Sequence, residues 1–151
     1  MLSGVRLSRA YLDRMKEGNW GWIVFISSES GLQIPTEMIH YGTTKTAQLA
    51  IARGLAETCS GSEVTVNSVL PGPTASEGVT EFVGQLAQEK KVSNEEFEQD
   101  FFKNARPSSI VQRFLEPEEI ADVVAVVCSP LASAINGASV RADGGVIRSI
   151  G

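Results

Sequence analysis

Gly21-Trp22-Ile23-Val24-Phe25-Ile26-Ser27 is the stretch on which the fold turns. It is apolar without alternation, as a strand covered on both faces of a parallel sheet must be. Upstream, Leu2, Val5, Leu12 and Met15 lie on one helical stripe that Gly18-Asn19 stops, which predicts a buried amphipathic helix before the strand. Arg6, Arg9 and Arg14 give this segment a basic look, but Asp13 and the stripe argue against a transit peptide. Downstream, a Ser/Gly/Pro-rich loop from Ser28 to Glu37 leads into a long helix predicted from Met38 to Cys59 and ended by Gly61. Val64 to Leu70 reads as a second strand, broken by Pro71-Gly72-Pro73. Strand, crossover helix and strand make a right-handed βαβ unit, so the sheet is parallel.

Residues 77–109 are more polar, with helical stretches near Val79 to Lys90 and Asn94 to Lys103, and they interrupt the alternation where a lid would lie. Pro117, Glu118 and Glu119 open a further helix whose Ile120, Val123, Val124 and Val127 share one face. Ala138 to Ala142 is a last short strand, followed by the turn Asp143-Gly144-Gly145. The expected architecture is α/β: a single domain over residues 1–151 with about three parallel strands and flanking helices.

Of the 151 residues, 42% are hydrophobic and 21% charged, as in an ordinary globular domain. A net charge of -5 and no basic cluster beyond Lys90-Lys91 exclude a nucleic-acid partner. The longest apolar stretches, such as Ile120 to Cys128, fall far short of the roughly 18 residues of a membrane span. Cys59 and Cys128 match no metal-ligand spacing and read as reduced thiols of a cytoplasmic protein.

The chemistry concentrates near the long helix. Tyr41 and Lys45 are four residues apart and share a helix face. A neighbouring ammonium favours the phenolate, which suits a tyrosine to proton transfer near neutral pH. Taken alone, the pair also fits a solvated helix face. Ser28 follows the first strand directly, placing its hydroxyl at the carboxyl end of a parallel strand, where open α/β sheets bind ligands. Pro71, Gly72, Pro73, Thr74 and Ser76 form a rigid, hydroxyl-bearing loop at the end of the second strand, suited to ligand binding or to a plain turn. His40, the only histidine, points away from the neighbouring Tyr41 and reads as a pocket-wall or surface residue rather than a proton relay.

Taken together, Ile23-Val24-Phe25-Ile26-Ser27-Ser28, Tyr41-Gly42-Thr43-Thr44-Lys45, Val66-Asn67-Ser68-Val69-Leu70-Pro71-Gly72 and Asp143-Gly144-Gly145 resemble the short-chain dehydrogenase/reductase family in order and spacing. The resemblance covers nearly the whole chain. It implies the C-terminal half of a Rossmann-like doubly wound sheet, with the N-terminal strands missing and the start falling one residue after the family's catalytic asparagine. It further implies NAD or NADP as cofactor and a small-molecule carbonyl or alcohol as substrate. Ser28 would hydrogen-bond the substrate carbonyl, Tyr41 would protonate it, and Lys45 would lower the Tyr41 pKa and hold the nicotinamide ribose. The Pro71 to Ser76 loop would contact the nicotinamide end. The family's Gly-rich pyrophosphate turn is not in this sequence. Two further readings stand beside the oxidoreductase: an inactive assembly module, and a ligand-binding module in which Tyr41 and Lys45 are dispensable.

A first strand without a neighbour on one side leaves an unpaired edge, and the family associates through its helices, so a homo-oligomer is expected. Size-exclusion chromatography with light scattering should show a species heavier than 16.2 kDa, or aggregation; a monodisperse monomer with a cooperative thermal transition overturns this expectation.

Overall fold

Val64–Pro71 (β2) is buried along seven of its eight residues, and Val64, Val66, Ser68, Val69 and Leu70 have no exposed surface, as only a middle strand can be. In the computed structural model, which describes residues 1–150, Gly21–Ile26 (β1) and Ser139–Ala142 (β3) flank β2 in parallel, in the order β1-β2-β3. The register pairs Ile26 with Val69 and Pro71 with Ala142, so all three carboxyl ends open on one side of the sheet.

Leu2–Glu17 (α1) precedes β1, and Ile39–Thr58 (α2) crosses from β1 to β2 after two short 3-10 turns, Glu29–Gly31 and Thr36–Met38. Glu77–Lys90 (α3) and Asn94–Asp100 (α4) follow, the latter running into a π-helical turn at Phe101–Ala105, and Pro117–Val127 (α5) leads by way of a 3-10 turn to β3. Both α4 and α5 start on a capping box, Ser93 with Glu96 and Glu116 with Glu119. The core between α2 and the sheet is built of Phe25, Ala52, Ala56, Cys59, Val64 and Val66. Cys59 is buried and Cys128 half-buried, both as free thiols. No helix among the described residues is long and apolar enough to cross a membrane.

One expectation is corrected. The first helix is amphipathic but not buried: Leu2, Leu7 and Tyr11 are 61%, 59% and 54% exposed, Ser8 is its one fully buried residue, and Leu12 and Met15 reach the core. The reason is topological, because β1 is the sheet edge and offers α1 support on a single flank.

Asn67, inside β2 and 1% exposed, donates through Nδ2 to Ile135 O at 2.8 Å and accepts at Oδ1 from Ala138 N at 3.0 Å, clamping the entry to β3. At the far end of β2, Gly72 N donates to Ala142 O at 3.0 Å. There the strands approach so closely that a Cβ on Gly72 would fall 2.5 Å from Asp143 O. Asp143 in turn accepts from Gly145 N at Oδ1 and from Ile147 N at Oδ2, at 3.1 and 3.0 Å. The two glycine-containing motifs, 71–72 and 143–145, are thus one packing unit.

The excursion carrying α3 and α4 closes on itself. Thr74 and Leu115 form a parallel bridge, with Ala75 N donating to Leu115 O at 2.8 Å and Leu115 N to Pro73 O at 2.9 Å.

Candidate active site

Ser28 leaves β1 in an extended conformation and caps the turn at 29–31, its Oγ accepting from Ser30 N at 3.1 Å. The turn is tied to α2 at several points. Ser27 Oγ donates to Lys45 O at 2.9 Å and Thr46 Oγ1 to Gly31 O at 2.7 Å. Gly42 closes the contact, since a Cβ there would lie 2.6 Å from Ile34 Cγ2 and 3.0 Å from Ser30 O. These ties carry Tyr41 and Lys45, one turn apart on α2, to the end of β1.

Lys45 Nζ donates to Ile26 O at 3.0 Å and stands 5.4 Å from the centre of the Tyr41 ring, within cation-π range. The Tyr41 hydroxyl has no hydrogen-bond partner among the described residues. Burial lowers the Lys45 pKa from its ordinary value of 10.5. A lysine shifted down is one whose charge burial disfavours in the folded state. It subtracts stability below its folded pKa, where both states are charged, and the deficit is relieved as pH rises through the ordinary lysine value. Lys45→Met should therefore unfold at the same temperature as the unmodified chain or higher at neutral pH, with the gap closing toward alkaline pH. A thermal scan showing marked destabilisation at pH 7 would contradict this.

Ser28, Tyr41 and Lys45 open into one chamber of about 530 Å³ at the carboxyl ends of β1 and β2. Pro71, Gly72, Pro73, Thr74 and Ser76 line it as well. The loop is held in place by the Thr74–Leu115 bridge, and Thr74 Oγ1 donates to Gly72 O at 2.9 Å. His40 is exposed and does not line the chamber.

Two features escaped sequence reasoning. The first is the opposite wall, supplied by the segment that composition marks as polar. Val79, Phe82, Val83 and Leu86 of α3 face the chamber, joined by Phe97, Phe101 and Phe114. Phe101 and Phe114 stack at 5.2 Å. The signal was present in the i, i+3, i+4, i+7 spacing of residues 79, 82, 83 and 86. The second is Glu29, 5% exposed beside Ser28. Its Oε2 accepts from Ser28 Oγ at 2.5 Å, Ser30 N at 2.6 Å and Ser30 Oγ at 2.9 Å, and its Oε1 from Arg106 Nε at 3.1 Å. No local pattern announces this pair, whose members are 77 residues apart.

Residues 1–147 match the family model described as enoyl-(acyl carrier protein) reductase. The chain is 49% identical over 150 residues to the uncharacterized oxidoreductase YvaG of Bacillus subtilis (strain 168), an alignment that covers 99% of this chain and 57% of the relative. To the 3-oxoacyl-(acyl-carrier-protein) reductase FabG of Aquifex aeolicus (strain VF5) it is 33% identical over 135 residues, 89% of this chain and 48% of that one. Among solved structures it resembles L-sorbose reductase from Gluconobacter frateurii, complexed with NADPH and L-sorbose. The TM-score is 0.90 at 23% identity, over 99% of this chain and 56% of the other, a likeness of fold. The chain spans about half the length of the curated relatives it matches.

Proposed function

Since the chain belongs to the short-chain dehydrogenase/reductase family, we propose that it carries the catalytic side of an NAD(P)-dependent exchange of hydride between an alcohol and a ketone or aldehyde. The observation that carries this reading is the shared chamber. Ser28, Tyr41, Lys45 and the 71–76 loop come from separate parts of the sequence and line a single cavity at the strand ends. An inactive assembly module gives these residues no reason to converge.

The donor set suits the nicotinamide-ribose end of the cofactor. An ammonium has three N–H donors. One goes to Ile26 O, leaving two for the vicinal ribose hydroxyls. Tyr41 and the 71–76 loop complete that side of the chamber. A bound nicotinamide supplies or accepts the hydride.

The chain's own residues handle the proton and the substrate oxygen. Tyr41 moves the proton at its phenolic oxygen, which no protein group occupies. The Lys45 ammonium stands 5.4 Å from the ring centre, beside the group that would exchange the proton. Ser28 donates its hydroxyl to Glu29 in this conformation and turns it toward the substrate oxygen when a carbonyl is bound. The loop fixes the approach from the β2 side.

The test uses this chain preceded by a dinucleotide-binding half such as that of its Bacillus subtilis relative. Addition of a ketone or aldehyde should drive oxidation of NADH or NADPH. A panel of carbonyl compounds that elicits no substrate-dependent oxidation sinks the proposal.

A further inference from the structure

The far wall of the chamber is mainly hydrocarbon, and the space opens to solvent beside Phe82, which is 59% exposed. That wall, opposite Ser28, is aromatic and aliphatic, with Phe82, Leu86, Phe97, Phe101 and Phe114 all contributing. Arg106 is the cation in that wall, and it is already neutralised. Nε donates to Glu29 Oε1 at 3.1 Å and Nη1 to Ala105 O at 2.9 Å, with the Arg106 and Glu29 side chains 16% and 6% exposed. The Glu29 carboxylate is fully engaged, by Arg106 on one oxygen and by the Ser28–Ser30 turn on the other. The other cation, Lys45, donates one N–H to Ile26 O at 3.0 Å and keeps its other two for the cofactor ribose in the proposed complex. Glu37, a further lining residue, is an exposed carboxylate whose hydrogen bond is to Thr36 Oγ1. An anionic group entering this space meets aromatic carbon, an ion pair that is closed on itself and a carboxylate. Away from Lys45, it finds at this wall no uncompensated cation to offset its lost hydration.

We propose that the substrate is a neutral, mainly apolar ketone or secondary alcohol, and that Glu29 sets this selectivity by neutralising Arg106. The inference rests on the reading of the chamber as the carbonyl site. It narrows that reading to a substrate class and gives a role to a residue outside the proposed Ser28, Tyr41 and Lys45 centre. Removing the Glu29 charge should reverse the preference. Glu29→Gln keeps the shape and an oxygen for Arg106 Nε, but leaves one uncompensated positive charge on the wall. Arg106 Nη2, which has no hydrogen-bond partner among the described residues, then becomes a donor for an incoming carboxylate.

The chamber is formed within residues 26–114, so the test needs no cofactor once Lys45→Met is carried in every form compared, which removes the ammonium that the ribose would otherwise engage. Acetophenone and para-acetylbenzoate share a ring and a ketone and differ by one carboxylate. Calorimetric titration of the Lys45→Met chain should show acetophenone binding about tenfold or more tightly than para-acetylbenzoate. Glu29→Gln should abolish or invert that preference, and Arg106→Met added to it should restore the preference. Arg106→Gln alone, which leaves the Ser28–Ser30 turn intact, should discriminate against the carboxylate still more strongly; this variant decides the matter if Glu29→Gln fails to fold by circular dichroism. Equal or tighter binding of para-acetylbenzoate to the chain changed only at Lys45 overturns the proposal. So does failure of both ketones to bind, or a preference unchanged in a folded Glu29→Gln. A neutral preference found alongside a complete lack of hydride transfer would instead strike at the oxidoreductase reading and leave the selectivity intact.

Discussion

Tyr41→Phe, made in a protein that joins this chain to a dinucleotide-binding half, should lower kcat by roughly a hundred- to ten-thousandfold and leave cofactor affinity within about a factor of two. The substitution removes one oxygen and keeps the ring. Because the Tyr41 hydroxyl has no hydrogen-bond partner among the described residues, no protein contact is lost with it. Lys45 Nζ, 5.4 Å from the ring centre, retains its aromatic neighbour and its bond to Ile26 O. What would disappear, on the proposed role, is the proton that the substrate oxygen gains or loses. The same variant should therefore unfold at the temperature of the unmodified protein. Steady-state kinetics, cofactor titration and a thermal scan separate these effects. Turnover at the unmodified rate would show that another group moves the proton.

Gly72→Ala should destabilise the fold by about 3 kcal/mol, at the upper end of what overpacking produces. The added methyl would sit 2.5 Å from Asp143 O, 2.8 Å from its carbonyl carbon and 2.9 Å from its Cα. All three are backbone atoms, so no side chain can swing aside. Relief requires β2 and β3 to separate, which breaks the Gly72 N to Ala142 O bond and disturbs the Asp143 carboxylate that holds the amides of Gly145 and Ile147. Urea unfolding of the two forms under identical conditions measures the difference. A shift within about 0.5 kcal/mol, the range of an ordinary surface change, would mean that the strand ends are looser than described.

The elements that local physics dictates were legible in the sequence. A continuous apolar run with Gly at one end and Ser at the other specified β1, and Pro71-Gly72-Pro73 marked the end of β2. Helical spacing puts Tyr41 and Lys45 on one face. The misses share a different cause. Leu2 looked buried because its stripe is apolar, but a helix is covered only where a neighbour exists, and the edge position of β1 removes one. Glu29 drew no reading because the residue that ion-pairs it, Arg106, lies 77 residues along the chain. The aromatic wall was hidden by averaging. Glu and Gln on the outer faces of α3 and α4 make residues 77–109 polar in composition, while Val83, Leu86 and Phe97 turn inward.

The stitch between Thr74 and Leu115 carries a consequence for how such a protein diversifies. The residues proposed for the chemistry lie at 28–76, and the wall that meets the body of the substrate lies almost entirely between 79 and 114. That second block leaves and rejoins the framework at one paired point, with its two ends locked by Ala75 N to Leu115 O and Leu115 N to Pro73 O. It is also fastened to the frame beyond this clasp, by Arg106 to Glu29, by Ser108 Oγ to Val146 O and by the amides of Ile110 and Val111 to Gly144 O. Replacing residues 76–105 with the corresponding block of a relative, and keeping Pro73 and residues 106–115, changes the lining and spares these fastenings.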